Sequence, residues 1–194
     1  MEAFVLGNGV SREGVDIDQL LRRGSVYGCN AIYRTHIPTV LVATDQPISR
    51  AIQEQGHCKH TRFYTRRPLP NSGACTIPKH LFGYSSGPVA AGIAAQDGAN
   101  RIYLIGFDLG PASDGRFNNV YAGTEFYKNR GAPATYSGNW IRQLTRVMLD
   151  HPDQQFVRVF GDTTAEINEF SQIPNLKKVP MRDFLAFINT GKEI

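Results

Sequence analysis

Residues 85–108 read SSGPVAAGIAAQDGANRIYLIGFD and combine a predicted helix with a predicted strand. Ser85 or Ser86 supplies a suitable N-cap, and Pro88 falls in the first turn, where a missing N–H has no cost. The pattern predicts a helix over 89–96 whose small side chains allow it to lie close against a sheet. Such a helix–strand unit is the repeating element of α/β proteins.

The strand of this unit is the apolar run 101–105, which has the length and composition of a buried parallel strand. Gly106 and Asp108 follow at its carboxyl end. In open α/β sheets the ligand cleft lies at that end of the strands, and a helix N-terminus there favours anions. We therefore predict that Ser85, Ser86 and Gly87 bind a ligand.

Length and composition predict one domain, residues 1–194. The chain is 41% hydrophobic, which is enough for a substantial core. No apolar run approaches the ~20 residues that cross a membrane, and the N-terminus enters a strand without a signal-peptide pattern. The three cysteines are irregularly spaced and make a poor disulfide framework. We expect a cytoplasmic protein without a membrane span, and the sequence is compatible with a homo-oligomer.

The rest of the chain alternates predicted strands and helices, which favours a Rossmann-like, three-layer α/β domain with a mostly parallel sheet. Strands are predicted over 3–6, 25–29, 39–43, 61–65, 101–105, 155–160 and 177–179. Helices are predicted over 16–23, 47–55, 89–96, 164–170 and 181–189, with another that follows 136–140 and ends near 150. Two long irregular regions, about 56–84 and 106–135, are expected near the cleft. The second is either a lid over the cleft or a poorly ordered surface loop.

Polar residues follow the first three predicted strands. Gly7, Asn8 and Gly9 follow the first strand, Asn30 the second and Asp45 the third. Glycines allow a backbone to approach a ligand closely, and an asparagine amide offers the donor and acceptor that a base or ribose edge requires. We predict that these residues line the cleft.

The net charge of +4 is concentrated in one window. No acidic residue lies between Glu54 and Asp97, whereas the same window holds five cations: Lys59, Arg62, Arg66, Arg67 and Lys79. This pattern indicates either an anionic ligand, with Arg66 and Arg67 as its binding residues, or a solvated basic loop. Its aromatic residues are too few for a stacking platform, which argues against a nucleic-acid partner.

The motif order resembles two known families. GNG after the first strand, CN after the second, SSG opening a helix and then IYLIGFD resemble the core of single-domain bacterial sialyltransferases, over scattered motifs in about the first two-thirds of the chain. The GNG opening also resembles the 6-hydroxymethylpterin diphosphokinase-like family. The first resemblance implies a Rossmann-like domain that binds a cytidine-monophosphate sugar.

The sialyltransferase resemblance also implies roles for individual residues. Asn8 and Asn30 would contact the nucleotide, its phosphate or its ribose, and Ser86 and Gly87 would lie against the donor. Tyr121 and Tyr127 would hold the phosphate. Those enzymes use a histidine base before the next helix, but the matching stretch here, 132–139, contains no histidine.

Three functions therefore remain open. The first is a transferase that uses a nucleotide-activated donor, in particular a nucleotide sugar. The second is a diphosphokinase or phosphohydrolase that acts on a pterin or nucleotide, with Mg²⁺ as the candidate cofactor, held by Asp45 and Asp108. The third is a non-catalytic nucleotide-binding accessory protein. For catalysis, the candidate groups are Asp45 or Asp108 as general base and His80 as the imidazole nearest in sequence to the cleft.

Overall fold

The computed structural model describes residues 1–191 and 194. Its strands form a single eight-stranded sheet in which every pair is parallel. The strands are β1 Glu2–Leu6, β2 Ser25–Cys29, β3 Val40–Val42, β4 Arg62–Thr65, β5 Cys75–Thr76, β6 Arg101–Ile105, β7 Gln155–Phe160 and β8 Leu176–Pro180. Their spatial order is β5-β4-β3-β2-β1-β6-β7-β8. The prediction of a Rossmann-like α/β fold is confirmed.

Helices cover both faces of the sheet. They are α1 Ile17–Arg23, α2 Gln46–Glu54, α3 Ser86–Gln96, α4 Gly138–Asp150 and α5 Met181–Thr190. Strand β1 shows why two layers form: Ala3 and Val5 pack with α3 and α4, whereas Phe4 and Leu6 pack with α1, α2 and α5. Alternate side chains of a strand point to opposite faces, so a strand that is apolar throughout needs cover on both.

The strand order reverses at β1. The chain builds β1 to β5 outward in one direction and then returns to place β6 on the free side of β1. The connections after β1 and β6 consequently diverge to opposite faces and leave a crevice at the carboxyl ends of the two strands, which is where open α/β sheets bind ligands.

The structure differs from the sequence-based expectation in three places. The region 56–84 contains the strand predicted over 61–65, which is β4, and in addition β5 and two 3₁₀ helices that were not expected. The predicted helix 164–170 is replaced by a 3₁₀ helix at Asn168–Gln172. The Thr164 hydroxyl accepts a hydrogen bond from the Gly161 N–H at 3.0 Å, and such local bonds compete with helix formation. Helix α3 begins at Ser86 rather than at 89, with Ser85 in the N-cap position but without a side-chain capping hydrogen bond.

The region 106–137 contains no helix or regular strand, as expected for a long loop. Within the described part of the chain, no helix has the length and apolar character needed to cross a membrane.

Candidate functional site

A pocket of about 220 Å³ lies at the carboxyl ends of β1, β2, β3 and β6, which we call the central pocket. Ten residues predicted from the sequence line it: Gly7, Asn8, Gly9, Asn30, Asp45, Arg66, Ser85, Ser86, Gly87 and Asp108. These residues come from six separate segments of the chain. The crevice created by the strand order therefore coincides with the cleft expected from the strand-end residues.

Two polar atoms in the wall of the central pocket are buried and have no hydrogen-bond partner among the described residues. They are the Oδ1 acceptor of Asn8 and the Nε donor of Arg66. The rest of the Arg66 guanidinium is held in place, because its Nη2 donates to the Tyr84 carbonyl at 2.9 Å. Buried polar groups in native proteins are nearly always paired, so an unpartnered acceptor and an unpartnered donor in two residues that line one pocket mark this pocket as the candidate site for a polar ligand or ordered water.

Ser86, the first residue of α3, connects this helix to the ends of two strands at the floor of the pocket. Its Oγ accepts from the Thr44 N–H at 3.0 Å, lies 3.1 Å from the Thr44 hydroxyl and donates to Asn30 Oδ1 at 3.1 Å. Ser86 is 5% exposed and Thr44 7% exposed. This network fixes the α3 N-terminus against the ends of β2 and β3.

The first turn of α3 presents its backbone to the pocket. An α-helix leaves the N–H groups of its first turn without intrahelical acceptors, and here Ser86 and Gly87 carry such groups while Pro88 has none. A side chain at Gly87 would lie 3.0 Å from the ring of Phe107, so glycine lets the helix approach that ring. Together with the positive end of the helix dipole, this geometry suits an anion.

Asp108 is buried and accepts five hydrogen bonds. Its carboxylate receives the Ser11 N–H at 3.1 Å, Asn118 Nδ2 at 3.0 Å and the Thr163 hydroxyl at 2.6 Å, together with the hydroxyls of Ser11 and Thr164. A side chain at Gly9 would lie 2.6 and 2.7 Å from the two carboxylate oxygens. Asp108 therefore ties together the loops after β1, β6 and β7.

These contacts bear on the predicted Mg²⁺ site. A carboxylate has about four lone-pair positions, and the donors around Asp108 use them. A metal ion at Asp108 would have to displace these donors, so this residue does not fit the role of a ligand in the present geometry. Among the residues that the structure describes, no group of three or more His, Cys, Asp or Glu side chains could hold a metal ion.

Arg158, which the sequence analysis did not single out, anchors the loop after β6. Its side chain is fully buried and donates to the carbonyls of Phe107 at 2.8 and 3.1 Å, Asp108 at 3.1 Å and Ala165 at 2.9 Å. Burial disfavours the charged form and lowers the pKa of Arg158 to about 10. The sequence signal that could have found it is a single arginine within the apolar run FVRVF, residues 156–160, of a predicted strand.

Asp45 has a different environment from Asp108. It is exposed at the N-cap of α2, yet its side chain makes no capping hydrogen bond and no ion pair with a described residue. It lines the central pocket, and it also lines two neighbouring pockets. Asp45 is thus an unpaired carboxylate at the point where three pockets meet.

Four predicted residues do not line the central pocket: His80, Arg67, Tyr121 and Tyr127. His80 is hydrogen-bonded to Gln96 at 2.7 Å, at the far end of α3 and about 15 Å along the helix from the pocket. Arg67 lies in a neighbouring pocket and donates to Gln46 at 3.0 Å. The structure thus gives His80 no contact with the cleft.

The two tyrosines help to hold the loop 106–137. Tyr121 accepts a hydrogen bond from Arg12 Nη2 at 2.9 Å, and the Tyr127 hydroxyl accepts from the Ala31 N–H at 3.4 Å. Burial raises the pKa of Tyr127, so its hydroxyl stays neutral. Tyr127 faces a small pocket of about 120 Å³ that includes Asn30.

The same loop covers the turn after β1. The Val10 N–H donates to Asn118 Oδ1 at 2.8 Å, and the Val120 N–H donates to the Asn8 carbonyl at 2.8 Å. On its outer side, Arg34 donates to Thr124 and to the Glu125 carbonyl, both at 2.9 Å. The loop 106–137 is therefore held by hydrogen bonds against one side of the central pocket and covers it.

The lining residues that sequence reasoning did not name as site residues include Thr44, Phe107, Asn118, Asn119 and Trp140. Trp140 is the only tryptophan of the chain, and its indole N–H donates to the Ser85 hydroxyl at 3.1 Å. A lone tryptophan that follows a long loop is the one signal that was available. Aromatic faces in a polar pocket offer a stacking surface for a base.

The basic window is dispersed by the fold. Arg62 pairs with Asp97, which follows the C-terminal end of α3, and it lines a separate pocket together with Lys59. Of the five cations in the window, only Arg66 lines the central pocket. The positive charge at the central pocket therefore comes from the guanidinium group of Arg66 and from the N-terminal end of the α3 helix dipole.

Comparisons with protein-family models, with curated proteins and with solved structures found no match for this chain. The Rossmann-like assignment rests on the strand order, the all-parallel sheet and the helices on both faces. The candidate site rests on its geometry: one pocket is lined by the N-terminus of α3, by the Asp45 carboxylate, which has no partner among the described residues, and by two residues with unpartnered buried polar atoms.

Proposed function

We propose that this protein is a transferase that uses a nucleotide-activated donor, a nucleotide sugar, bound in the central pocket. The observation that carries the proposal is that the N-terminus of α3 and Arg66 line the same pocket, at the place where the strand order reverses. The buried Nε of Arg66 has no hydrogen-bond partner among the described residues. Phosphates of nucleotides are bound by helix N-termini at this position in open α/β sheets, and arginine adds charge-assisted hydrogen bonds.

The other lining groups suit the remainder of such a donor. Asn8 carries a buried acceptor without a partner, which matches the amino or hydroxyl donors of a base or ribose. The indole of Trp140 and the ring of Phe107 provide apolar area beside it. A pocket with a few convergent polar groups and aromatic walls is typical of small-molecule sites.

Asp45 is the candidate general base for the transfer. Its carboxylate would take the proton from an acceptor hydroxyl as the acceptor oxygen forms a bond to the anomeric carbon of the sugar. The bond from that carbon to the phosphate oxygen breaks, and its electron pair leaves with the nucleotide. The α3 N-terminus and Arg66 would stabilise the negative charge that develops on the departing phosphate.

This assignment ranks above the two alternatives for specific reasons. A diphosphokinase or phosphohydrolase site with two carboxylate ligands would require Asp108, whose oxygens are occupied by five donors. An accessory protein would need no base, whereas Asp45 supplies an unpaired carboxylate at the pocket wall.

A ligand screen tests the proposal. Thermal stability should be measured with CMP, CDP, UDP, GDP, ATP and their sugar conjugates, each with and without Mg²⁺. A ligand that binds only the folded state raises its apparent stability, by about 2.7 kcal/mol at one hundred times Kd. We expect a shift with a nucleotide and its sugar conjugate that does not require Mg²⁺.

Two adjacent arginines provide a matched control. Arg66→Ala should weaken binding of the nucleotide by about ten- to a hundredfold, because charge-assisted hydrogen bonds contribute about 1.5–3 kcal/mol. Arg67→Ala should leave that affinity within about twofold, because Arg67 lies outside the central pocket. Asp45→Asn should abolish transfer while preserving nucleotide binding. Absence of any nucleotide-induced shift at millimolar concentration would overturn the proposal, and a shift seen only with Mg²⁺ would favour the diphosphokinase alternative.

A further inference from the structure

The central pocket shares a wall with a second pocket of about 310 Å³, which we call the α2 pocket. It lies between α2 and the segment that follows β4, and Thr44, Asp45 and Arg66 line both pockets. The remaining lining residues are Gln46, Ser49, Arg50, Gln53, Thr65, Arg67, Pro68 and Leu69. Ligands in the two pockets would be separated by only three side chains.

The floor of the α2 pocket is a buried polar network. Gln53, which is 6% exposed, donates to Ser49 Oγ at 3.2 Å and to the Arg67 carbonyl at 3.3 Å. Its Oε1 accepts from the Leu69 N–H at 2.6 Å. The Ser49 and Thr65 hydroxyls lie 2.6 Å apart beneath it. Because these bonds tie the loop after β4 to α2, the backbone that carries Arg67 is fixed in position.

The charge of the α2 pocket is strongly asymmetric. Three guanidinium groups line it, from Arg50, Arg66 and Arg67, against the single carboxylate of Asp45. Arg67 donates only to Gln46 among the described residues, so most of its five N–H groups have no protein acceptor. Arg50 is paired with Glu54 at 2.6 Å on the exposed face of α2. Planar guanidinium groups match the geometry of phosphate and carboxylate.

We propose that the α2 pocket binds the acceptor of the transfer reaction and that this acceptor carries a phosphate or carboxylate group held by Arg67 and Arg50. The inference rests on the proposed function, which assigns the central pocket to the donor. Asp45 in the shared wall then faces both substrates, where it can take a proton from the acceptor hydroxyl. A neutral acceptor would leave the guanidinium group of Arg67, which bonds only to Gln46 among the described residues, without an anion.

Titration with simple anions tests the site directly. Inorganic phosphate and acetate are titrated calorimetrically into the protein, first alone and then with the central pocket saturated by the nucleotide that stabilises it most. We expect the wild type to bind one of these anions in the presence of the nucleotide. Arg67→Ala and Arg50→Ala should each weaken that binding by about tenfold or more. The anion that binds tighter identifies the acceptor group as a phosphate or a carboxylate.

Arg146→Ala is the matched control. Arg146 forms an exposed i,i+4 pair with Asp150 at 2.9 Å, as Arg50 does with Glu54, but lines neither pocket. This variant should bind the anions like the wild type. Unchanged anion affinity in Arg67→Ala, complete displacement of the anion by the nucleotide, or no anion binding at 10 mM would each overturn the inference.

The two proposals fail separately. If no nucleotide binds, the proposed function is refuted, while anion binding that depends on Arg67 but not on Arg66 still establishes a second anion site. If nucleotides bind and the anions do not, the donor assignment stands and the anionic acceptor is excluded.

Discussion

Replacing Ser86 by alanine should lower the free energy of unfolding by about 2–3 kcal/mol, because one buried hydroxyl connects α3 to β2 and β3. The substitution leaves the Thr44 N–H without an acceptor in a site that is 7% exposed. An unsatisfied buried donor costs about 1–3 kcal/mol, and the lost bond to Asn30 adds about 1 kcal/mol. The Thr44 hydroxyl and the Asn30 amide border the pocket, so water can replace part of what they lose.

Urea and thermal unfolding followed by circular dichroism measure this effect. For a domain of this length, 2–3 kcal/mol corresponds to a fall in Tm of about 5–10 °C. Ser85→Ala is the control next in sequence, because its hydroxyl accepts only the Trp140 indole N–H and is half-buried, which predicts a loss of about 1 kcal/mol or less. Equal losses in the two variants, or no loss in Ser86→Ala, would refute the argument that Ser86 holds the floor of the pocket.

Three further changes have defined outcomes. Gly9→Ala should destabilise the fold by about 1–3 kcal/mol in urea titrations, because its Cβ would press on the Asp108 carboxylate; wild-type stability would contradict this contact. Arg158→Met should destabilise by about 2–4 kcal/mol, since three carbonyls lose their donor while the cost of burying a charge is relieved; a more stable variant would show that the burial cost dominates. Burial raises the pKa of the Cys29 thiol to about 12, whereas the thiols of Cys58 and Cys75 are partly exposed. At pH 8 a disulfide reagent should therefore modify Cys58 and Cys75 in the native protein but not Cys29. Reaction of all three thiols without denaturant would be inconsistent with the structure.

Regular elements with strong local patterns were predictable from the sequence. The run 101–105 and the small-residue helix before it occupy the places expected, because an apolar strand of that length has to be buried in a parallel sheet. Strand β5 could not be predicted, since two residues carry no periodicity. The helix predicted over 164–170 was wrong, and a 3₁₀ helix forms at Asn168–Gln172 instead. The Thr164 hydroxyl accepts a hydrogen bond from the Gly161 N–H and donates to Asp108, and neither bond could be predicted from local patterns.

The candidate site was predictable where its residues end strands and unpredictable where they lie on long connections. Asn8, Asn30 and Asp45 meet because parallel strands bring their carboxyl ends to one edge. The path of a loop of about thirty residues is not constrained by the sheet in this way. Tyr121, which lies on that loop, was expected to contact the ligand, but its hydroxyl accepts a hydrogen bond from Arg12. The role of Asp108 was equally hidden, because one of its donors is Thr163, from a loop more than fifty residues away.

The central position of β1 determines the order in which this protein can assemble during synthesis. Strands β1 to β4 are neighbours in sequence and in space, but the second partner of β1 is β6, which emerges about a hundred residues later. Until then β1, four of whose five residues are buried in the finished sheet, has an unpaired edge, and such edges promote aggregation. The final edge is better protected, because β8 carries the exposed lysines Lys177 and Lys178. In newly made chains the edge of β1 therefore stays unpaired until residues 101–105 are available, and the edge of β6 stays unpaired until residues 155–160 follow.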